Sequence, residues 1–227
     1  MIPGNYPYPT ASYILQNNKG KFTDVTKSIA PDLMEIGMVS AGLWTDYNND
    51  GDYDLILAGE WMPITIIENN GGKFKNITDQ TGLKESTGWW NSLTGGDFDN
   101  DGDMDFVAGN FGINLKYRPR EKPIELFYDD YDNNGTHDII MGYWQGDKLY
   151  PQKTRERLIE QIKDVETIFP DWHTYGQAEI WDFYGKKRME NSKLHYKANT
   201  FYSSYIENLG NNKFQVKRLP NDAQISS

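Results

Sequence analysis

The sequence holds no cysteine and only three histidines in 227 residues. The first absence removes disulfides and thiolate metal sites, though it does not fix a compartment. The second leaves zinc without its usual nitrogen ligands, and His137, His173 and His195 stand in neither H-x-x-x-H nor H-E-x-x-H spacing. No run approaches the roughly 18 apolar residues of a membrane-spanning helix, so membrane insertion is not expected. Cationic side chains are the minority, 23 Lys and Arg against 33 Asp and Glu, for a net charge of -10. That balance argues against nucleic acid or an anionic membrane surface as a partner. The N-terminus, MIPGNYPYPTASY, has no basic segment followed by an apolar one, so no targeting signal is read in it. It reads like a stretch from inside a longer protein.

What is present is 14% aromatic residues and 21 Gly, with a mean hydropathy of -0.74. Aromatics, glycines and few long apolar runs point to an all-β chain rich in turns. Two units recur along it. The first is an acidic nonapeptide: DYNNDGDYD at 46–54, DFDNDGDMD at 97–105 and DYDNNGTHD at 130–138, with four, five and three carboxylates. Each runs into a short apolar stretch, LILAG, FVAGN and IIMGY. The second is a hairpin with an Asn/Gly turn before a Lys-Phe strand: YILQNNKGKFTDVT (13–26), ITIIENNGGKFKNIT (64–78) and SYIENLGNNKFQVKR (204–218).

Residues 42–78 contain both units in order and read as a four-stranded antiparallel meander. Such a meander recurring every 40–50 residues is the appearance of a β-propeller blade. The expected architecture is therefore a partial ring of about three and a half blades. Residues 12–26 supply an outer hairpin only, and 42–78 a whole blade. A third begins near Leu93 with no clear hairpin at 110–123. The fourth starts at Ile124 and is interrupted before its hairpin at 203–217. The expected organisation is 1–150 for blades with acidic loops, 151–200 for a helical insertion and 201–227 for the closing hairpin of the last blade and a tail. Within the insertion, Leu158, Ile162, Val165 and Phe169 form a helical stripe ended by Pro170, with Thr154 at the N-cap and Glu156 in the first turn. AEIWDFYG and KRMENSKLHYK are weaker helical segments, and Trp172, Trp181 and Tyr184 are read as packing residues.

The acidic loops share the frame D-x-[DN]-x-[DN]-G-x-x-D. Oxygen-bearing side chains stand at positions 1, 3, 5 and 9: Asp46, Asn48, Asp50 and Asp54; Asp97, Asp99, Asp101 and Asp105; Asp130, Asp132, Asn134 and Asp138. Position 6 is Gly, which permits a left-handed turn. Position 7 offers a backbone carbonyl whatever its side chain, hence Asp52, Asp103 and Thr136. Six or seven oxygens around a point suit Ca²⁺, so up to three calcium ions are expected. They would bring the net charge of -10 to about -4. An EF-hand is rejected, because position 12 is Leu57, Ala108 or Met141 instead of Glu and both flanks read as strands. The third loop, with Asn134 in place of an acid, should bind most weakly.

These loops, with AGNFGIN at 108–114, resemble the FG-GAP/VCBS repeat family, which includes the integrin α-chain propeller and many bacterial surface proteins. The stretch TGWWNSLTGGDFDNDGDMDFVAGNFGIN, the later YDDYDNNGTHD and the helical insert resemble most the large secreted VCBS-repeat proteins of Bacteroidetes. The resemblance implies calcium at the loop carboxylates, an extracytoplasmic location and further blades in a larger parent chain. It carries over no catalytic residues.

No G-x-S-x-G elbow, P-loop or cysteine nucleophile is present, and no catalytic set is identified. Glu60 is a lone carboxylate after a strand. Trp44, Trp61, Trp89, Trp90 and Trp144 fall near strand ends; Trp89 and Trp90 are the candidates for ligand contact, since neighbouring strand residues face opposite ways. The expected function is a calcium-binding propeller module of a secreted or cell-surface protein, structural or recognising a glycan or protein. The alternative is a carbohydrate-active enzyme domain, lyase or hydrolase, on the same scaffold.

Overall fold

A computed structural model describes residues 6–112 and 122–224. The chain is mostly β, in antiparallel sheets with a few short helices. The strands are β1 (Leu15–Asn18), β2 (Lys21–Asp24), β3 (Met38–Thr45), β4 (Asp54–Met62), β5 (Thr65–Asn69), β6 (Phe74–Asn76), β7 (Gly88–Gly96), β8 (Asp105–Asn110), β9 (Ile124–Asp129), β10 (Asp138–Gln145), β11 (Lys148–Pro151), β12 (Leu194–Ala198), β13 (Ser204–Asn208) and β14 (Phe214–Arg218). Among the described residues no helix is long and apolar enough to cross a membrane. Two compact units divide the chain: residues 1–114 with 200–227, and residues 115–199.

In the first unit β3 to β6 form the expected meander, with Leu43↔Ile56, Ile56↔Ile66 and Ile67↔Asn76 in register. Strand alternation divides the apolar run of β4 between two cores. Leu55 and Leu57 join Leu33, Met62 and Ile67. Ile56 and Ala58 join Ile66, Trp90, Phe106, Ile206 and Phe214. With both faces covered, the strand can be apolar throughout, which explains a run without polar alternation. β7 continues the sheet from the end of β4 (Glu60↔Trp89, Met62↔Gly88) across a bulge at Trp61, whose φ is 59°.

The last hairpin departs from expectation. β13–β14 does not extend the strand pair that begins at Ile124; β13 pairs with β8 (Ile206↔Phe106, Tyr205↔Val107, Ser204↔Ala108). The outer edge of β10 is already taken by β11 through a tight turn (Gln145↔Lys148, Trp144↔Leu149). The sheet that starts at β7 is thus completed by chain returning more than 90 residues later, and the hairpin missing from 110–123, most of which lies outside the described residues, is this one. Residues 201–224 therefore close the third repeat rather than the last; the expected boundary at 200 coincides with the end of the second unit, while the one at 150 falls inside it.

In the second unit the sheet order is β11-β10-β9-β12. Its helices are short: Arg155–Ile159, Asp164–Ile168, Trp172–Gln177, Trp181–Tyr184 and Lys186–Glu190. The stripe Leu158, Ile162, Val165 and Phe169 is buried against Phe127, Ile140 and Leu149. Leu158 and Val165 stand in two separate helices, with Ile162 between them and Phe169 at the cap of the second, in place of one continuous helix. The break is drawn by bonds to the sheet and its loop: Gln161 Nε2 donates to Ile139 O (3.2 Å), and the Lys163 N–H to Asp132 Oδ2 (3.3 Å). Thr154 occupies the N-cap without a side-chain bond, whereas Asp171 and Thr174 form a reciprocal capping box that the sequence reading missed. The segment KLHYKA is strand β12, paired with β9, so the expected insertion is helical only up to Glu190. Trp181 and Tyr184 pack on Phe127 and Tyr131, while Trp172 is exposed.

Candidate metal centres

Each acidic loop joins two neighbouring antiparallel strands, β3–β4, β7–β8 and β9–β10, and all three fold through the same local hydrogen bonds. The position-1 carboxylate receives two backbone N–H groups. Asp46 Oδ1, Asp97 Oδ1 and Asp130 Oδ1 accept from Asp50 (3.1 Å), Asp101 (3.1 Å) and Asn134 (3.0 Å). Their Oδ2 atoms accept from Gly51 (3.0 Å), Gly102 (3.2 Å) and Gly135 (2.9 Å). The position-5 side chain then accepts the position-7 N–H, 2.9 Å at Asp52, 2.9 Å at Asp103 and 2.7 Å at Thr136. The position-9 Oδ2 accepts the position-2 N–H of Tyr47, Phe98 or Tyr131. The loop is thus wound around its own carboxylates.

One part of this winding was legible and overlooked. Position 4 is Asn49, Asn100 or Asn133, with φ of 59°, 63° and 57°. Asn tolerates the left-handed region better than other residues with a Cβ. Two left-handed residues, Asn at 4 and Gly at 6, close the turn.

The result is convergence of like charges. Carboxylate oxygens of Asp97, Asp99 and Asp105 lie within 4.8 Å of one another, and so do those of Asp130, Asp132 and Asp138. In the loop 46–54 position 3 is an amide, and Asn48 Nδ2 donates to Asp50 Oδ2 (2.9 Å). Position-7 side chains turn outward: Asp52 Oδ2 accepts from Gly71 N (3.0 Å) and Asp103 Oδ1 from Asn49 Nδ2 (3.1 Å). Withdrawal from water raises the Asp99 carboxyl above its ordinary value, and burial pushes Asp54 and Asp138 up to about 6.

The closing aspartates are buried, and two of them reach beyond their loops. Asp54 Oδ1 accepts the Asn69 N–H (2.8 Å) and Asp105 Oδ1 the Asn208 N–H (2.8 Å); Tyr205 also donates to Asp105 Oδ2 (2.7 Å). Among the described residues Asp138 Oδ1 has no hydrogen-bond partner. A set of donors made wholly of oxygen, most of them carboxylates and one buried without a partner among the described residues, can hold a hard divalent cation.

The aromatic candidates lie elsewhere. Trp90 is wholly buried, its Nε1 donating to Ser86 O (3.0 Å), so it meets no ligand. Alternation did set the two tryptophans on opposite faces; Trp90 lies in the core with Ile56 and Phe106, while Trp89 is half-buried. Trp89 is stacked on Phe111 (4.7 Å) and packs against Trp61 (5.1 Å). Trp44 meets Phe74 edge-on. Glu60 Oε2 is buried without a hydrogen-bond partner among the described residues.

A polar cluster in the second unit escaped the sequence reading. Buried Glu125 accepts from His195 Nε2 (2.7 Å) and Trp144 Nε1 (3.0 Å), with Lys197 Nζ at 3.4 Å. Burial alone would raise its pKa, but the His195 bond, Lys197 and Trp144 together hold it below the usual value. The three donors stand on β10 and β12, the strands flanking β9, and only the pairing register reveals their convergence. His137 stacks on Tyr128 and contacts Lys193, away from the loop interior.

Residues 46–108 match the family model described as FG-GAP-like repeat, from the first acidic loop through the strand after the second. The resemblance drawn from the loops therefore holds over that stretch. No curated protein matches the chain.

Proposed function

We propose that the chain is a calcium-binding segment of a β-propeller, acting outside the cytoplasm as a structural or recognition module within a larger protein. The observation that carries the calcium reading is the convergence of Asp97, Asp99 and Asp105, and of Asp130, Asp132 and Asp138, each trio within 4.8 Å. Three carboxylates at that distance repel in the absence of a cation. The unpartnered Asp138 Oδ1 fits the same ion. Side chains at positions 1, 3, 5 and 9 would hold it, with the position-7 carbonyl. Ca²⁺ suits such a flexible all-oxygen set; Mg²⁺ demands a stricter octahedron, and Zn²⁺ would favour nitrogen or sulfur. Its part would be structural, neutralising the loops and tying each strand pair at its turn.

The four-stranded meander β3–β6 and the sheet β7-β8-β13-β14 correspond to successive blades in this reading. A glycan stacked on Trp89 or Trp90 is not supported, because the first is packed between two rings and the second is buried. The test is thermal unfolding in calcium, in magnesium and in chelator. Binding to the folded state alone stabilises by about 2.7 kcal/mol per site at a hundredfold excess over Kd. A melting temperature indifferent to chelator overturns the calcium reading.

A further inference from the structure

The hairpin β1–β2 repeats the bonds of β5–β6 throughout and shares the Asn turn of β13–β14, and it differs from both in its outer neighbours. In β5–β6, Thr78 Oγ1 accepts the Ile66 N–H (3.0 Å), and the Asn76 side chain accepts both the N–H and the hydroxyl of Thr78 (3.0 and 2.7 Å). In β1–β2, Thr26 Oγ1 accepts the Ile14 N–H (2.7 Å), and Asp24 accepts both groups of Thr26 (2.9 and 2.7 Å). At the turn, Asn69 Oδ1 accepts from Gly72 N (2.8 Å) and Asn17 Oδ1 from Gly20 N (2.8 Å). The equivalent Asn208 does the same with Gly210 N (3.0 Å). The hairpin is fully formed by its own bonds.

Its outer neighbours are what differ. β5 pairs with β4 and β13 with β8, each a strand that follows an acidic loop. In both, the closing aspartate of that loop receives the N–H of the hairpin asparagine, Asn69 to Asp54 and Asn208 to Asp105, each at 2.8 Å. Among the described residues β1 pairs with β2 alone, and every residue of both strands is exposed. Leu15 is 55% exposed where its counterpart Ile67 is at 0%; Phe22 is 62% exposed where Phe214 is at 6%. By alternation the Leu15 and Asn17 N–H groups lie on the free edge, since the Ile14 N–H faces β2.

We propose that β1 is a docking edge for one kind of partner: a strand pair joined by a D-x-[DN]-x-[DN]-G-x-x-D loop, whose closing aspartate accepts the Asn17 N–H and whose following apolar residues cover Leu15. Lys19 and Lys21 flank the turn that would lie against that acidic loop, so charge as well as pattern is complementary. A second copy of this chain does not supply the partner. Its strands β4, β8 and β10, which follow its three acidic loops, already have β5, β13 and β11 as neighbours. The occupant is therefore a further unit of this kind from outside residues 6–224. The mode is strand addition, with main-chain bonds giving affinity and the aspartate and apolar side chains giving register. The inference rests on the repeat reading but not on calcium, which has its own melting test.

The experiment uses the whole chain and, as probe, a synthetic peptide of residues 38–62, which contains such a loop between its two strands. Amide exchange at Leu15 and Asn17, fast in the chain alone, should slow by about tenfold or more when peptide is in excess. A peptide with Asp54→Ala should bind at least about tenfold more weakly. A chain carrying Leu15→Lys should melt as the parent does but show no protection. Absence of protection with the parent peptide at about 1 mM, where even weak strand addition registers, overturns the proposal. So does protection without peptide accompanied by a dimer in sedimentation, which would make the occupant a second copy.

Discussion

The loops 97–105 and 130–138 have the same internal bonds and different surroundings. Asp105 is saturated from three directions, by Phe98 within its loop and by Asn208 and Tyr205 from β13. Asp138 receives Tyr131 and, among the described residues, nothing else. The difference teaches that the winding of a loop is a local matter encoded in nine residues, whereas the environment of its closing carboxylate is a tertiary one. A cation is one partner among several at Asp105. At Asp138 it would relieve an atom that is otherwise without one.

Substitutions at position 1 should give the largest effect. Asp97→Ala removes two backbone acceptors and a cation ligand, and in saturating calcium should cost about 4 kcal/mol in denaturant unfolding. Asp130→Ala should cost less in the same assay, since Asn134 leaves that loop with three acids instead of five. Equal losses would erase the distinction between the loops. A sharper contrast comes from the closing residues in chelator. Asp105→Asn sets an amide N–H against the donors at one of its two oxygens, Asn208 at Oδ1 or Phe98 and Tyr205 at Oδ2, and should cost about 2–3 kcal/mol, while Asp138→Asn should stay within about 1 kcal/mol of the parent. In calcium the second variant should become the more costly relative to its chelated value.

The pH dependence follows from the sign of the shifts. Asp54 and Asp138 have carboxyls raised to about 6 in the folded protein, above the unfolded value near 4. The folded state then holds more protons between those limits, so their contribution favours folding at low pH and is lost as pH rises through about 6. Chelated protein should therefore lose melting temperature from pH 5 to pH 7, a trend flattened in the double variant Asp54→Asn, Asp138→Asn. In calcium the trend should reverse, because ligation requires the ionised form. The smallest effect is at position 4: Asn100→Ala should cost about 1 kcal/mol and Asn100→Gly a few tenths, read from chemical denaturation, because only the backbone conformation is at issue.

The sequence was most informative where structure is local. The loop frame, the Asn/Gly hairpins and the meander from β3 to β6 are spelled out within spans of a few residues. It was least informative where pairing is distant. Nothing near Ser204 says that it belongs beside Ala108 rather than beside the strands at 124–145, and the presence of β11 could be seen only once Lys148–Pro151 had folded back on β10. The stripe from Leu158 to Phe169 correctly marked a buried face, but the continuity of the helix depended on Gln161 and Lys163, which are held by the sheet. Burial of Trp90 depended on the core of Ile56, Phe106 and Phe214 lying against its face, which alternation cannot report.

The excursion between β8 and β13 leaves and rejoins the first unit at one place. Gly112 N donates to Phe201 O (3.0 Å), and Asn110 Nδ2 donates to Thr200 O (3.0 Å). The two ends are stapled side by side, so the sheet sees the intervening residues as a loop whose length hardly matters to it; each doubling of such a loop costs only about 0.6 kcal/mol. That position behaves as a cloning site built into the fold. Evolution could lengthen, trim or exchange what is carried there without disturbing a single rung of the ladder between Phe106 and Ile206.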